Sequence, residues 1–340
     1  MMDKKEGFGA KISRVYNSDR YMWRLVIITV AWLIFMALTK FSKFYTVVNF
    51  QTMFAQFPEF GLMSLGVMVC MITGGIDLST VGAANMTGIT MALLMQKVAG
   101  DNTEISVIWV FIVFVLAICM GMITGALNGF LVSKVKIPPI LATLGTGQLF
   151  TGIGLVLTNG SAISGFPSTY AYTINNRVAG IPVQFLIFAV TAAVLAFMLG
   201  KTTYGKKLLL IGTNQNVAKF SGLRVDRILI KTYMISGVCA ALGGMVMLAN
   251  YNSARSDYGS NYVLQCVLIV VLGGVNPNGG KGKINGVLLA IFLVRALETG
   301  INRFPQISSY YISLIWGAVL ILAMVLNYFT ENNIKIRKKS

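Results

Sequence analysis

The chain has 340 residues, 56% hydrophobic and 11% charged, with 28 Lys and Arg against 11 Asp and Glu and a formal net charge of +17. A soluble domain carries roughly 25% charged residues, so a water-soluble globule is excluded, and each apolar run is measured against the ~20 residues that cross a bilayer. Histidine is absent, which removes the commonest general base and the commonest metal ligand together.

The expected fold is all-α, a polytopic transmembrane bundle of about ten spans with both termini cytoplasmic. A basic leader, 1–21, precedes a retained first span at 22–40, and no small-residue cleavage site follows it. The remaining spans are expected at 52–72, 80–97, 106–132, 139–158, 182–200, 232–250, 262–276, 284–301 and 310–329. They form one transmembrane domain, 22–330, closed by a basic tail at 331–340. Lys and Arg set the orientation. With the N-terminus inside, only Lys40, Lys43, Lys97, Arg177, Arg255 and Arg303 fall outside, Arg295 lies within a span, and the other 21 basic residues are cytoplasmic. The positive balance is thus a topology signal, and no aromatic-interleaved basic patch points to nucleic acid.

At the end of the second span stands 71-MITGGIDLSTVG-82. Gly74 and Gly75 are expected to break the helix and turn the chain, and Asp77 or Ser79 to cap the next span. Gly273-Gly274-Val275-Asn276 repeats the pattern after the eighth span, a faint repeat in parallel orientation. A role for both segments in gating, or against a partner, is the other reading. Within the spans, Gly121, Gly125 and Gly129 recur at four-residue intervals, and Ala84 and Gly88 do the same, which lets helix backbones approach closely. Asn85, Thr87, Asn128, Thr143, Thr146, Gln148 and Gln265 are uncharged polar residues inside spans. They can bond a neutral polyhydroxy ligand or neighbouring helices. The buried charges are few. Glu59, Arg295 and Glu298 all lie toward the outer side, with Arg295 and Glu298 three apart on one helix and able to pair. They make either an interfacial ion pair or an outer gate. The four cysteines, Cys70, Cys119, Cys239 and Cys266, lie in apolar runs and form no CxxC pair, so they read as small buried hydrophobes.

The largest basic loop, 201–231, contains 212-GTNQNVAKFSGL-223. Thr213 or Asn214 can cap a short helix and Gly222 can end it, with Val217 and Phe220 on one side. Such a helix lies flat on the membrane or presses its apolar side into a cytoplasmic partner. No catalytic engine is visible. Gly200-Lys201-Thr202 lacks the glycine of a phosphate-binding loop, because Leu195 stands in its place inside an apolar helix.

Taken together, 73-TGGIDLSTVG-82, 126-ALNGFLVSKVKIPPILATLGT-146, 204-YGKKLLLIGTNQNVAKFSGLRV-225, 233-YMISGVCAALGGM-245 and 272-LGGVNPNGGKGKINGVLLA-290 resemble the membrane permease subunits of bacterial ABC importers for monosaccharides, the ribose-permease group. The resemblance covers nearly the whole chain beyond the leader. It implies a second permease subunit, alike or paralogous, a cytoplasmic ABC ATPase and an external sugar-binding protein. The chain itself would be no enzyme and would hold no cofactor, ATP and magnesium binding in the partner ATPase. Asn214, Val217, Phe220 and Gly222 match the helix that touches the ATPase. Gly74, Gly75, Asp77, Ser79, Gly273 and Gly274 form the structural or gating motif. Asn85, Asn128, Thr146 and Gln148 would line an alternating-access path, and Arg177, Arg255 and Arg303 would dock the binding protein. Ahead of Leu272, where many members carry an acidic segment, 258-YGSNYVLQCVLIVV-271 has no acid. A monosaccharide is the expected cargo. The alternatives are a nucleoside, a branched-chain amino acid or a furanosyl signal on the same machinery, or an ion-coupled secondary carrier. The expected location is the bacterial inner membrane.

Overall fold

A computed structural model describes residues 20–100, 104–306 and scattered positions between 311 and 325. The basic tail, most of the tenth expected span and all but two residues of the leader lie outside the described residues. Helix α1 (Arg20–Phe44) bends at Lys40, where φ is −139°. Helix α2 (Val47–Gln56) starts at Thr46, whose hydroxyl accepts from the Asn49 amide. It meets α3 (Pro58–Ile72) at a 43° bend, with Pro58 placed in the first turn of α3, where its missing N–H costs nothing. Helices α4 (Thr80–Ala99), α5 (Val107–Ser133) and α6 (Pro139–Thr158) follow, then a short α7 (Ser168–Asn175). Helix α8 (Val183–Lys201) leads into α9 (Thr203–Thr213) and the six-residue α10 (Gln215–Phe220). The described helices close with α11 (Val225–Tyr251), α12 (Tyr262–Leu272) and α13 (Ile284–Ile301).

The all-α expectation holds. The described strands are two-residue ladders in loops: β1 (Ile163–Ser164) pairs antiparallel with β4 (Ser253–Ala254), and β2 (Arg177–Val178) with β3 (Ile181–Pro182). Six described helices are long and apolar enough to cross a membrane, seven if α2 and α3 count as one broken span. Every expected span inside the described residues is helical, but not every one is a full span. The segment expected at 262–276 is helical only over eleven residues. At 1.5 Å per residue that is ~16 Å, about half of a ~30 Å hydrocarbon core.

Helix α11 is the hub. Of its most apolar window 78% is buried, against 17–28% for α1, α5, α6 and α8. Glycine explains how one helix meets three neighbours so closely. The Gly121, Gly125 and Gly129 edge of α5 lies against the α11 backbone at Gly237, Tyr233 and Ile230. Gly244 of α11 touches the backbone of Ala84 on α4. Gly243 lies against the Glu59 carbonyl of α3, and Gly66 of α3 against Ser236. At Gly129 an added Cβ would stand 2.6 Å from the Ile230 Cα, so the spacing in sequence is a spacing of helix axes. The outward faces of α1, α5, α6 and α8 stay apolar and exposed, as at Leu38, Phe111, Val156 and Phe197.

Candidate functional site

Two polar assemblies stand at opposite ends of the bundle. At the end that carries α10, the break between α3 and α4 places Asp77 in the protein interior, 1% exposed. Its Oδ1 accepts from the Ser79 amide at 3.0 Å and the Ser79 hydroxyl at 2.7 Å. Its Oδ2 accepts from the Ser236 hydroxyl of α11 at 2.7 Å. Asn128 of α5 donates through Nδ2 to Ser79 Oγ at 2.7 Å, and Thr146 of α6 donates to Asn128 Oδ1 at 2.5 Å. Asp77, Ser79, Asn128, Thr146 and Ser236 are all buried. One hydrogen-bonded chain therefore joins the α3–α4 break to α5, α6 and α11.

Two expectations change here. Neither Asp77 nor Ser79 caps α4 through its side chain; Ser79 occupies the N-cap position with no side-chain cap bond. The Asp77 carboxylate is instead consumed by a turn of its own and by Ser236. The glycine repeat is real but offset by one residue. Both α3 and α12 end in the same motif, in which the residue two past the C-cap bonds back five positions: Gly75 N to Cys70 O at 3.2 Å, and Val275 N to Val270 O at 3.2 Å. The left-handed residues are Gly74, φ +80°, and Gly274, φ +82°. Gly74 thus corresponds to Gly274, not Gly273, and Asp77 has no acidic counterpart in the second copy. Gly273 is a C-cap that packs directly on Val287.

These two helix ends meet α9. The Gly280 amide donates to the Ile72 carbonyl at 2.9 Å. Gly212 of α9 sits against the Ile72 carbonyl and Gly280, while Gly279 lies between Gly74 and the Gly212 carbonyl. Apart from the Thr213 hydroxyl beside Gly280, the three chain segments touch backbone to backbone. Two residues beyond Gly212 is Asn214, whose Oδ1 accepts from Asn216 N at 2.9 Å and Val217 N at 3.1 Å. The expected short helix, α10, begins there. It closes with Gly222 N to Lys219 O at 2.9 Å and Leu223 N to Ala218 O at 3.1 Å, with Gly222 at φ +80°. Ala218 is buried, while Val217 is 50% and Phe220 92% exposed.

Of the residues expected along a path, Asn128 and Thr146 are brought together in the chain above. Asn85 lies apart: its Nδ2 donates to the carbonyls of Ser256 at 2.9 Å and Tyr258 at 2.8 Å, pinning the loop before α12. Gln148 faces outward on α6 beside Leu144 and Leu149. At the far end, the Glu59 carboxylate is buried and accepts from Asn250 at 2.6 Å, Tyr262 at 3.0 Å and Tyr251 at 3.2 Å. Arg295 pairs with Glu298 at 2.8 Å and also bonds Gln56 of α2. Arg177 donates to Gln51 at 2.7 Å, Arg303 bonds Asn49, and Arg255 pairs with Asp257 at 2.8 Å, so each of these guanidiniums already has a protein partner. Among the described residues no group of His, Cys, Asp or Glu could hold a metal ion.

Sequence reasoning missed Ser236, Gly212, Gly279 and Gly280. Ser236 carries a weak signal, a small hydroxyl one residue before Gly237. The three glycines carry none, because what they accommodate is another segment's backbone.

A protein-family profile described as the permease component of a branched-chain amino acid transport system matches residues 49–324. The chain belongs to this permease family. The ribose import permease protein of Bacillus subtilis (strain 168) is 32% identical over 269 residues, covering 78% of this chain and 80% of that protein. The autoinducer 2 import system permease protein of Yersinia enterocolitica is 32% identical over 274 residues, 78% and 79% of the two chains. Its counterpart in Escherichia coli (strain K12) is 31% identical over 271 residues. No solved structure matches the chain. The permease is accordingly a multi-pass membrane protein of the inner membrane and a transport component, not an enzyme.

Proposed function

We propose that this permease is the membrane subunit of an ATP-driven importer for a neutral monosaccharide, working by alternating access. The observation that carries the proposal is α10: a doubly capped helix with Phe220 outward, seated next to the glycine junction of α9, α3 and the loop after α12. A cytoplasmic ATPase, which would hold the ATP and magnesium, covers Val217 and Phe220. Its motion pulls on α9, and the junction hands that displacement to the α3–α4 break. There the Asp77 chain of hydrogen bonds ties the break to α5, α6 and α11, so the helices rock together. The named cargoes of the relatives, ribose and autoinducer 2, support a small polyhydroxylated solute. A zwitterionic amino acid is disfavoured, since Glu59 and Arg295 are both committed to protein partners.

A second permease subunit completes the path. The face of α6 bearing Gln148 is apolar, exposed and interrupted by Gly145 and Gly152, which have open space around them. A second copy seated there encloses Gln148 between subunits. Arg177 and Arg255, both exposed, offer positive charge to an external binding protein at the far end, with Arg303 half-buried behind them. Proteoliposomes test the reading. With a cognate ABC ATPase and binding protein reconstituted beside it, ATP should drive accumulation of radiolabelled ribose. The permease alone, given only a proton or sodium gradient, should accumulate none; accumulation there establishes an ion-coupled carrier instead.

A further inference from the structure

A groove of about 460 Å³ runs between α5, α8 and α11 on the outside of the bundle. Its walls are Val190, Val194 and Met198 of α8 against Met234 and Val238 of α11, and Lys231 is the charged residue of its lining. Val190 and Val194 are 64% and 59% exposed, so the groove opens sideways to whatever surrounds the bundle. Thr191 spends its hydroxyl on the Ile187 carbonyl at 2.8 Å, leaving the walls apolar. From Lys231 to Leu242 the α11 side extends eleven residues, ~16 Å, about one leaflet of a ~30 Å hydrocarbon core. Lys231 stands at the α10 end, where Arg227 precedes it by one turn and Lys201 follows Met198 by three residues. All three are exposed and have no ion-pair or hydrogen-bond partner among the described residues.

We infer that this groove is a binding site for an anionic phospholipid, one acyl chain along α8 and α11 and the phosphate at Lys231 with Arg227 and Lys201. A groove that is apolar for one leaflet's depth and cationic at one rim has the amphipathic pattern of a lipid and not of a helix, which needs no cluster of unpaired charge at its end. Basic pockets between helices at the membrane surface select acidic headgroups in this way. The Lys and Arg asymmetry puts this rim in the inner leaflet. The α6 face, with its open glycines, is the better surface for a second copy. Because α8 leads directly into α9, a lipid here braces the approach to the α10 junction.

The intact permease in neutral detergent tests this by thermal unfolding and native mass spectrometry. Phosphatidylglycerol should raise the melting temperature and remain bound, and phosphatidylcholine at the same mole fraction should do neither. Lys231→Ala should weaken phosphatidylglycerol binding about fivefold, the worth of one basic residue near a charged membrane surface. Val194→Trp, at an exposed position that tolerates bulk, should fill the groove and abolish the retained lipid. Equal responses to the two lipids, or undiminished phosphatidylglycerol binding in both variants, overturns the inference. So does efficient disulfide formation between Val194→Cys residues of two copies, or between Val194→Cys and Ile321→Cys, since the groove is then covered by protein.

Discussion

Gly212→Ala tests the proposed transmission path most directly. The position is helical, so alanine meets no backbone strain there, and the helix itself gains roughly 0.5–1 kcal/mol from the exchange. The new methyl, however, would stand within 3.0 Å of the Ile72 carbonyl and of the Gly280 amide, both backbone atoms that cannot rotate aside. Overpacking of this kind costs about 1–3 kcal/mol, so the net loss of stability is ~0–2.5 kcal/mol and the protein still folds. The strain is relieved by moving α9 away from the α3 end, which loosens the junction through which the proposed transmission from α10 to the α3–α4 break runs. If 1.4 kcal/mol of it falls on the transporting transition, uptake drops about tenfold. The assay is ATP-driven monosaccharide uptake in proteoliposomes holding the assembled importer, with ATP hydrolysis measured in parallel. Hydrolysis should persist while uptake falls. Gly200→Ala, next to open space at the end of α8, should change neither. Uptake by Gly212→Ala within twofold of the parent would show that the glycine junction transmits nothing.

Phe220→Ala removes a side chain that is 92% exposed, so the melting temperature of the isolated permease should stay unchanged while ATPase co-purification and uptake are lost. Asn214→Ala should cost about 1 kcal/mol locally through its two lost cap bonds, visible as faster amide exchange confined to α10. At Asp77 the pair of substitutions is informative. Alanine strands the hydroxyl of Ser236 and the amide of Ser79 in the interior, at about 1–3 kcal/mol per orphaned group, whereas asparagine keeps one carbonyl oxygen and can donate to Ser236. Thermal unfolding should rank wild type first, Asp77→Asn next and Asp77→Ala last, and equal melting temperatures for the two variants would contradict the hydrogen-bonded chain. Gly125→Leu should prevent α5 from seating on α11 and abolish folded protein, detected as aggregation on size exclusion in detergent.

Much of this protein is local information. Hydropathy finds the six long apolar helices, because a bilayer admits only backbone that satisfies itself within the segment, but it does not tell them from the eleven-residue Tyr262–Leu272. The four-residue spacing of Gly121, Gly125 and Gly129 predicts a close backbone contact between helices, since small residues along one edge let a neighbouring helix approach. The cap at Asn214 and the stop at Gly222 are likewise written in neighbouring residues, and α10 is where they put it. Other features exist only when distant segments meet. Ser236, Asn128 and Thr146 are ordinary polar residues until three helices bring them to one buried carboxylate. The one-residue offset between Gly74 and Gly274 depends on which residue takes the left-handed conformation, which the matching pattern of letters does not reveal. Gly212, Gly279 and Gly280 are small because a distant segment occupies the space where a side chain would be, Ile72 against Gly212, Gly74 against Gly279 and Thr213 against Gly280, and packing alone decides that neighbour.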